Sequence, residues 1–236
     1  MYLLHKRYAT DPRHYIRAFL LIEEEILNLF TYVEPSDINS NTYSHKIQQL
    51  LMRTCVEIEA NFTAILLENN YAEAKKGNTN IKHYRLIDKS HRLSAFEVRV
   101  PTWKGSNSVR SPFQAWASSS PLSWYQAYNK SKHQRHENFE RATFDALMDA
   151  FCGLNILLSA QFCDEEYSPR AKSIGLSGAA YHYDGEDGME PSIGSILRIK
   201  FPTDWPDEQR YEFKWPEISL LADPFQDYDY AQHPIT

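Results

Sequence analysis

Residues 43–69, YSHKIQQLLMRTCVEIEANFTAILLEN, decide the fold class. Ile47, Leu50, Leu51, Thr54, Cys55, Ile58, Phe62, Ile65 and Leu66 recur at three and four residues. That spacing gathers side chains on one face of an α-helix. It predicts a long helix, roughly Tyr43 to Asn69, packed on a neighbour. Upstream, Asp11-Pro12 reads as an N-cap followed by proline at the first helical position. Ile16, Phe19, Leu20, Ile26, Leu27 and Phe30 then keep helical spacing to about Val33. Glu34-Pro35-Ser36-Asp37 makes a break, because proline disfavours helical geometry in the residue before it. Two long helices joined by a short loop predict an antiparallel hairpin, the usual start of a helical bundle.

Downstream, Ser120-Pro121 repeats the cap-and-proline signal, and the run to about Arg135 carries Trp124, Tyr125 and Tyr128. A longer helix is predicted from about Asn138 to Phe162, with Phe144, Leu147, Phe151, Leu154 and Leu158 on one side and small Ala146, Ala150 and Gly153 nearby. Between about residues 70 and 116 a basic stretch (Lys75, Lys76, Lys82, Arg85, Lys89, Arg92) gives way to alternation. Phe96, Val98 and Val100 face one way, Glu97 and Arg99 the other, as in a strand that ends at Pro101. Ser195–Phe201 and Arg210–Trp215 read as two further strands that form a hairpin. The expected fold is therefore mainly α: a bundle of about four long helices with a small appended β-sheet. One domain spans 1–222, with a β insertion at about 70–116 and a hairpin at about 195–215. Residues 223–236 form an acidic tail whose aromatics suit a groove and whose charge suits solvent.

The chain has 236 residues, 42% apolar and 24% charged, the composition of a globular protein. Met1–Arg7 break into charge before a signal-like apolar run forms, and no stretch is long and apolar enough to span a bilayer. A cytoplasmic protein without a membrane partner is expected. Cys55, Cys152 and Cys163 are odd in number and lack CxxC spacing, so they read as buried thiols. Asn61-Phe-Thr63 matches a glycosylation acceptor but falls inside a predicted helix. The net charge of −6 resides in the stretch from Asp204 onward, where eight acidic residues face only Arg210 and Lys214. The remaining body is balanced, which excludes a strongly basic nucleic-acid binder and leaves room for a local basic surface.

Ser123–Glu140, SWYQAYNKSKHQRHENFE, concentrates polar chemistry. On a helix Asn129 and His133 lie one turn apart and share a side with Lys132 and His136; Arg135 follows. Amide and ammonium groups donate to phosphate oxygens, and an imidazole with a pKa near 6.5 moves protons around neutrality. The same residues also suit a plain polar helix end, with His133 hydrogen-bonded between helices and the lysines in water. A second polar line, Arg53, Glu57 and Asn61, recurs every four residues along the second helix, either as a pocket wall or as an intrahelical ion pair. His133-x-x-His136 has ligand spacing, yet no third ligand is near enough in sequence to argue zinc. His182-Tyr-Asp-Gly-Glu-Asp-Gly lacks the calcium-loop pattern. No Walker loop, dinucleotide fingerprint or GxSxG is present, so no metal or cofactor is expected.

Tyr128-Asn129-Lys130-Ser131-Lys132-His133 resembles the Arg-polar-x-x-x-His motif of the HEPN helical-bundle superfamily, with a long apolar helix following in the expected place. The chain also resembles uncharacterised bacterial proteins of similar length. The superfamily resemblance implies a helical domain that pairs as a homodimer. In many members it implies a metal-independent ribonuclease of defence or toxin systems; other members bind nucleotides or have lost activity. On this likeness Asn129 takes the polar position and His133 the catalytic one. Tyr128 departs from the pattern, because the family's arginine grips the scissile phosphate through a planar fork that tyrosine lacks. The expectation is a bacterial, non-catalytic binding or interaction component with RNA, a nucleotide or a protein as partner. The alternative is an active ribonuclease in which Lys132 and Asn129 orient the phosphate and Arg53 replaces the missing arginine. A further reading assigns partner binding to the acidic, aromatic C-terminal segment.

Overall fold

The computed structural model describes residues 13–162, 188–204 and 227–235, the side chains of Arg13 and Arg135 excepted. It is mainly helical and carries a small antiparallel sheet. Helix α1 (Arg13–Phe30) buries Ile16, Phe19, Ile22, Ile26 and Leu29. Helix α2 (His45–Glu68) starts where Ser44 accepts the Ile47 N–H, and it buries every residue of the quoted apolar stripe. Four-residue helices α3 (Ala72–Lys75), α4 (Ile81–Tyr84) and α5 (Asp88–His91) follow. Then come α6 (Ser123–His133), α7 (Arg135–Asn138) and α8 (Phe144–Phe162). The sequence suggests about four long helices; the described residues hold three of 18, 24 and 19 residues and one of eleven.

Helix α8 is the axis of the molecule, packing against α2, α6 and α1. Apart from Asp145 and Asp149 its residues are buried all round, so it is a central helix rather than an amphipathic one. Gly153 leaves room for the rings of Phe113 and Trp124. The predicted start near Asn138 shifts to Phe144, because the chain first makes a 3₁₀ turn over Phe139–Arg141 and leaves helical geometry at Ala142.

Strands β1 (Glu97–Arg99), β2 (Val109–Arg110), β3 (Glu190–Pro191) and β4 (Arg198–Lys200) form the sheet in the order β2-β1-β4-β3. The alternation read from sequence holds: Phe96, Val98 and Val100 are fully buried while Glu97 and Arg99 are half-buried. Val98 pairs with Ile199 across the β1–β4 ladder. Residues 70–95, assigned to a β insertion by sequence, are short helical turns; Asn80 starts one of them by capping Lys82 in a box with His83. Of the predicted hairpin, β4 is present and pairs with β1 and β3, whereas 210–215 lies outside the described residues. In the C-terminal stretch, residues 227–235 lie on the body, with Tyr230 buried.

Two carboxylates fasten the loops. Asp37 accepts from Trp103 Nε1 (2.7 Å), from the Ser106 N–H (2.7 Å) and hydroxyl (2.8 Å) and from the Asn107 N–H (3.2 Å). Glu23 accepts from the Ser195 N–H (2.8 Å) and hydroxyl (3.2 Å) and from the Ile196 N–H (3.3 Å). In both, a glycine just before the serine lets the backbone close around the carboxylate. Gly105 (φ +124) and Gly194 (φ +88) each leave no room for a Cβ, which would lie 2.3 Å from a carboxylate oxygen. No helix among the described residues is long and apolar enough to cross a membrane.

Candidate functional site at the polar end of α6

Helix α6 has two unlike sides. Trp124, Tyr125, Tyr128 and Ser131 are buried, while Gln126, Lys130 and His133 are exposed and Asn129 is half-buried. The buried side is tied to its neighbours by hydrogen bonds. Trp124 Nε1 donates to Pro112 O at 2.9 Å, and Gln48 Nε2 of α2 donates to Ser131 O at 3.3 Å. Tyr125 and Tyr128 both donate to Glu59 of α2, at 2.6 and 3.2 Å. Lys132 Nζ donates to the Tyr128 hydroxyl at 3.0 Å and lies 5.0 Å from its ring centre. Burial, joined by Glu59, pushes the Tyr125 hydroxyl far above the usual tyrosine range, and burial also raises Tyr128. The hydrogen bond to Tyr128 raises the Lys132 ammonium. Both tyrosines therefore stay protonated and act as donors near neutrality.

His133 is the last residue of α6 and exposed; His136, on α7, is exposed as well. On the open side of α6 a cleft of about 390 Å³ runs between Ser123, Gln126, Ala127 and Lys130 of the helix and Glu140, Arg141 and Thr143 of the turn before α8. Asn138 Oδ1 accepts from Arg141 Nε at 2.9 Å and steadies that guanidinium. Arg135 lies on α7, its side chain outside the described residues.

The Arg53, Glu57, Asn61 line goes elsewhere. At 3.6 residues per turn, Arg53 and Glu57 stand roughly 120–180° around α2 from Gln48, Cys55 and Glu59, which face α6. Arg53 is exposed beside Glu25 of α1, where it helps Lys46 hold that carboxyl below its usual range. Glu57 faces Tyr15. Asn61 turns into the core, donating to Glu57 O at 2.8 Å and accepting from Gln161 of α8 at 3.4 Å. The two lines thus do not enclose one pocket within a chain. Among the described residues no His, Cys, Asp and Glu cluster suits a metal ion.

Four polar side chains central to the structure carry little sequence signal. Glu59 continues the Gln48, Cys55 side of α2, and only that register marks it. Lys130 and Arg141 supply the positive charge of the cleft from positions between the motif residues and beyond them. Arg110 is 5% exposed and touches three partners. Its guanidinium lies 4.4 Å from the Trp103 ring centre. Nη1 donates to Asp149 at 2.6 Å, and Nη2 lies 2.9 Å from Asp145 at an angle outside hydrogen-bond geometry. The sequence trace of this cluster is Asp145 and Asp149, two carboxylates one turn apart on an otherwise apolar helix.

No protein-family model matches the sequence, and comparison with curated proteins and with solved structures gives no match.

Proposed function

We propose that the chain is a HEPN-like, non-catalytic binding component that takes a phosphate-bearing partner, RNA in the first instance, on the open side of α6. Lys130 and Arg141 flank the cleft, and the ammonium and guanidinium groups meet phosphate oxygens there. Gln126 and Ser123 add neutral donors. His133 and His136 extend the same polar end and contribute contacts rather than proton transfer.

The observation that carries this reading is the fate of Tyr128. The position that holds arginine in the resembling motif is buried here, with its hydroxyl committed to Glu59 and Lys132. A side chain locked in this way has no means of gripping a scissile phosphate. The ribonuclease alternative then needs Arg53, which faces the α1 side of α2. General acid–base cleavage requires its groups to converge within about 3 Å of one phosphate, and the placement of Arg53 does not favour that.

Fluorescence anisotropy with labelled single-stranded RNA tests the proposal. The expected result is salt-sensitive binding that Lys130→Ala with Arg141→Ala weakens by about ten-fold or more. Binding unaffected by that pair, or no binding at low salt, refutes it.

A further inference from the structure

The cations between Lys75 and Arg92 lie outside the α6 cleft, and the fold sets three of them along one line. A 3₁₀ turn over Arg85–Ile87 joins α4 to α5, so residues 81–91 are one unbroken helical run. Lys82, Arg85 and Lys89 recur in it at three and four residues, while Tyr84, Ile87 and His91 are buried on the opposite side. Lys82 and Lys89 are exposed, and the carboxylates around them have other partners. Asp88 accepts from the Ser94 N–H (2.7 Å) and hydroxyl (2.9 Å), and Glu73 accepts from Lys76 at 2.7 Å. Asp204 pairs with Arg92, and Asp227 accepts from Asn70. No large apolar side chain between Lys75 and Arg92 is exposed. Such a face suits a hydrated polyanion better than a bilayer surface, where binding also requires apolar area to bury.

The basic line leads to α6. Arg85 Nη1 donates to Ser119 O at 3.0 Å. The 3₁₀ turn Leu93–Ala95 after α5 packs on the 3₁₀ turn Gln114–Ser118 before α6. Ser118, Ser119 and Ser120 are exposed and lead from Arg85 to Ser123, where the α6 cleft begins. Ser123, Gln126 and Lys130 then continue the exposed line along α6, with Arg141 across the cleft. Each of the two helical parts spans about 10 Å over seven residues. Together they are longer than a single phosphate contact, and their spaced cations and hydroxyls match the backbone of an extended strand.

We propose that the Lys82–Lys89 face extends the α6 cleft into a track for a single strand of several nucleotides, its lysines taking backbone phosphates beyond those met by Lys130 and Arg141. This rests on the α6 cleft being an RNA-binding surface. It adds strand length as the property selected, because contacts to phosphates carry no base sequence.

Fluorescence anisotropy of the full chain with labelled oligouridylates of about four and about twelve nucleotides tests the track. The double variants are Lys82→Ala with Lys89→Ala and Lys130→Ala with Arg141→Ala, their folding checked by circular dichroism. The longer strand binds the wild-type chain at least about ten-fold tighter than the shorter one. The Lys82, Lys89 pair weakens the longer strand by about five-fold or more, reduces the slope of log affinity against log salt by about 1.4, and leaves the shorter strand unchanged. The Lys130, Arg141 pair weakens both strands. Longer-strand binding that only the Lys130, Arg141 pair weakens overturns the track and leaves the cleft as the RNA site. Binding that only the Lys82, Lys89 pair weakens overturns the cleft reading and the continuous track with it. No RNA binding at low salt, or binding to vesicles of phosphatidylglycerol and phosphatidylcholine instead, overturns both. Should a variant fail to fold, ultraviolet cross-linking of the longer strand to the wild-type chain decides: adducts within residues 81–92 are expected, and adducts confined to α6 overturn the track.

Discussion

The guanidinium of Arg110 is shut away between Asp145, Asp149 and the face of Trp103, whereas Lys130 and His133 extend into solvent from α6. Arg110 is fixed by groups from the β1–β2 connection and from α8, and Trp103 passes the constraint on to Asp37. Burial raises the Asp149 carboxyl even with Arg110 beside it, so the cluster pays desolvation and recovers it only while every partner is present. The end of α6 has no such obligation. Charge that is boxed in reports on the fold, and charge left in water contributes little to folding and is free for a partner.

Substitutions should therefore separate the two regions by their effect on stability. Arg110→Met leaves Asp149 largely buried without its counter-charge and beside the more exposed Asp145, and urea unfolding should show a loss of about 3–5 kcal/mol. Gly194→Ala forces a Cβ against Glu23 at a positive φ, with a loss of about 1–3 kcal/mol in the same assay. Tyr128→Phe removes one hydroxyl shared by Glu59 and Lys132 and should cost about 1 kcal/mol. A cost near zero there would mean that the tyrosine is not locked. Lys130→Ala and His133→Ala should each change stability by less than about 0.5 kcal/mol. A larger loss would place them with Arg110, as parts of the scaffold.

The acid limb of the stability curve sharpens the contrast between the two loop-fastening carboxylates. Hydrogen bonds from Trp103 and Ser106 hold Asp37 down to about 2 from an ordinary 3.8. A lowered folded-state pKa stabilises the fold above the ordinary value, and that share is lost as pH falls from 3.8 toward 2. Asp37→Asn should flatten this part of the curve. Burial raises Glu23 despite its three donors. Its protonated form is therefore favoured by the fold, and its contribution weakens as pH rises through its folded value. Glu23→Gln should leave the limb between 4 and 2 unflattened.

The helices were legible because three-and-four spacing is a local property, and so was the alternation of β1. The sheet partners were not: β4 finds β1 across about a hundred residues, and no local pattern encodes that pairing. The turns over 70–95 were misread because helices of four residues are too short to show a period. At the site, the exposed place of Lys132 followed from its type, whereas that of His133 was open, since an imidazole suits water and a seam between helices alike. The burial of Tyr128 was open, since tyrosine suits either side of a helix. The Arg53, Glu57, Asn61 line could be a pocket wall or an intrahelical ion pair on sequence alone, because spacing places residues on a common line but does not say which neighbour that line meets.

The most direct measurement is incubation of the purified full chain with end-labelled single-stranded RNA in excess EDTA, with binding and chain length followed in the same samples. The account predicts RNA that is bound and intact. RNA cut by the wild-type chain and left whole by His133→Ala would contradict it, because an exposed imidazole would then be doing chemistry while Tyr128 beside it stays locked between Glu59 and Lys132.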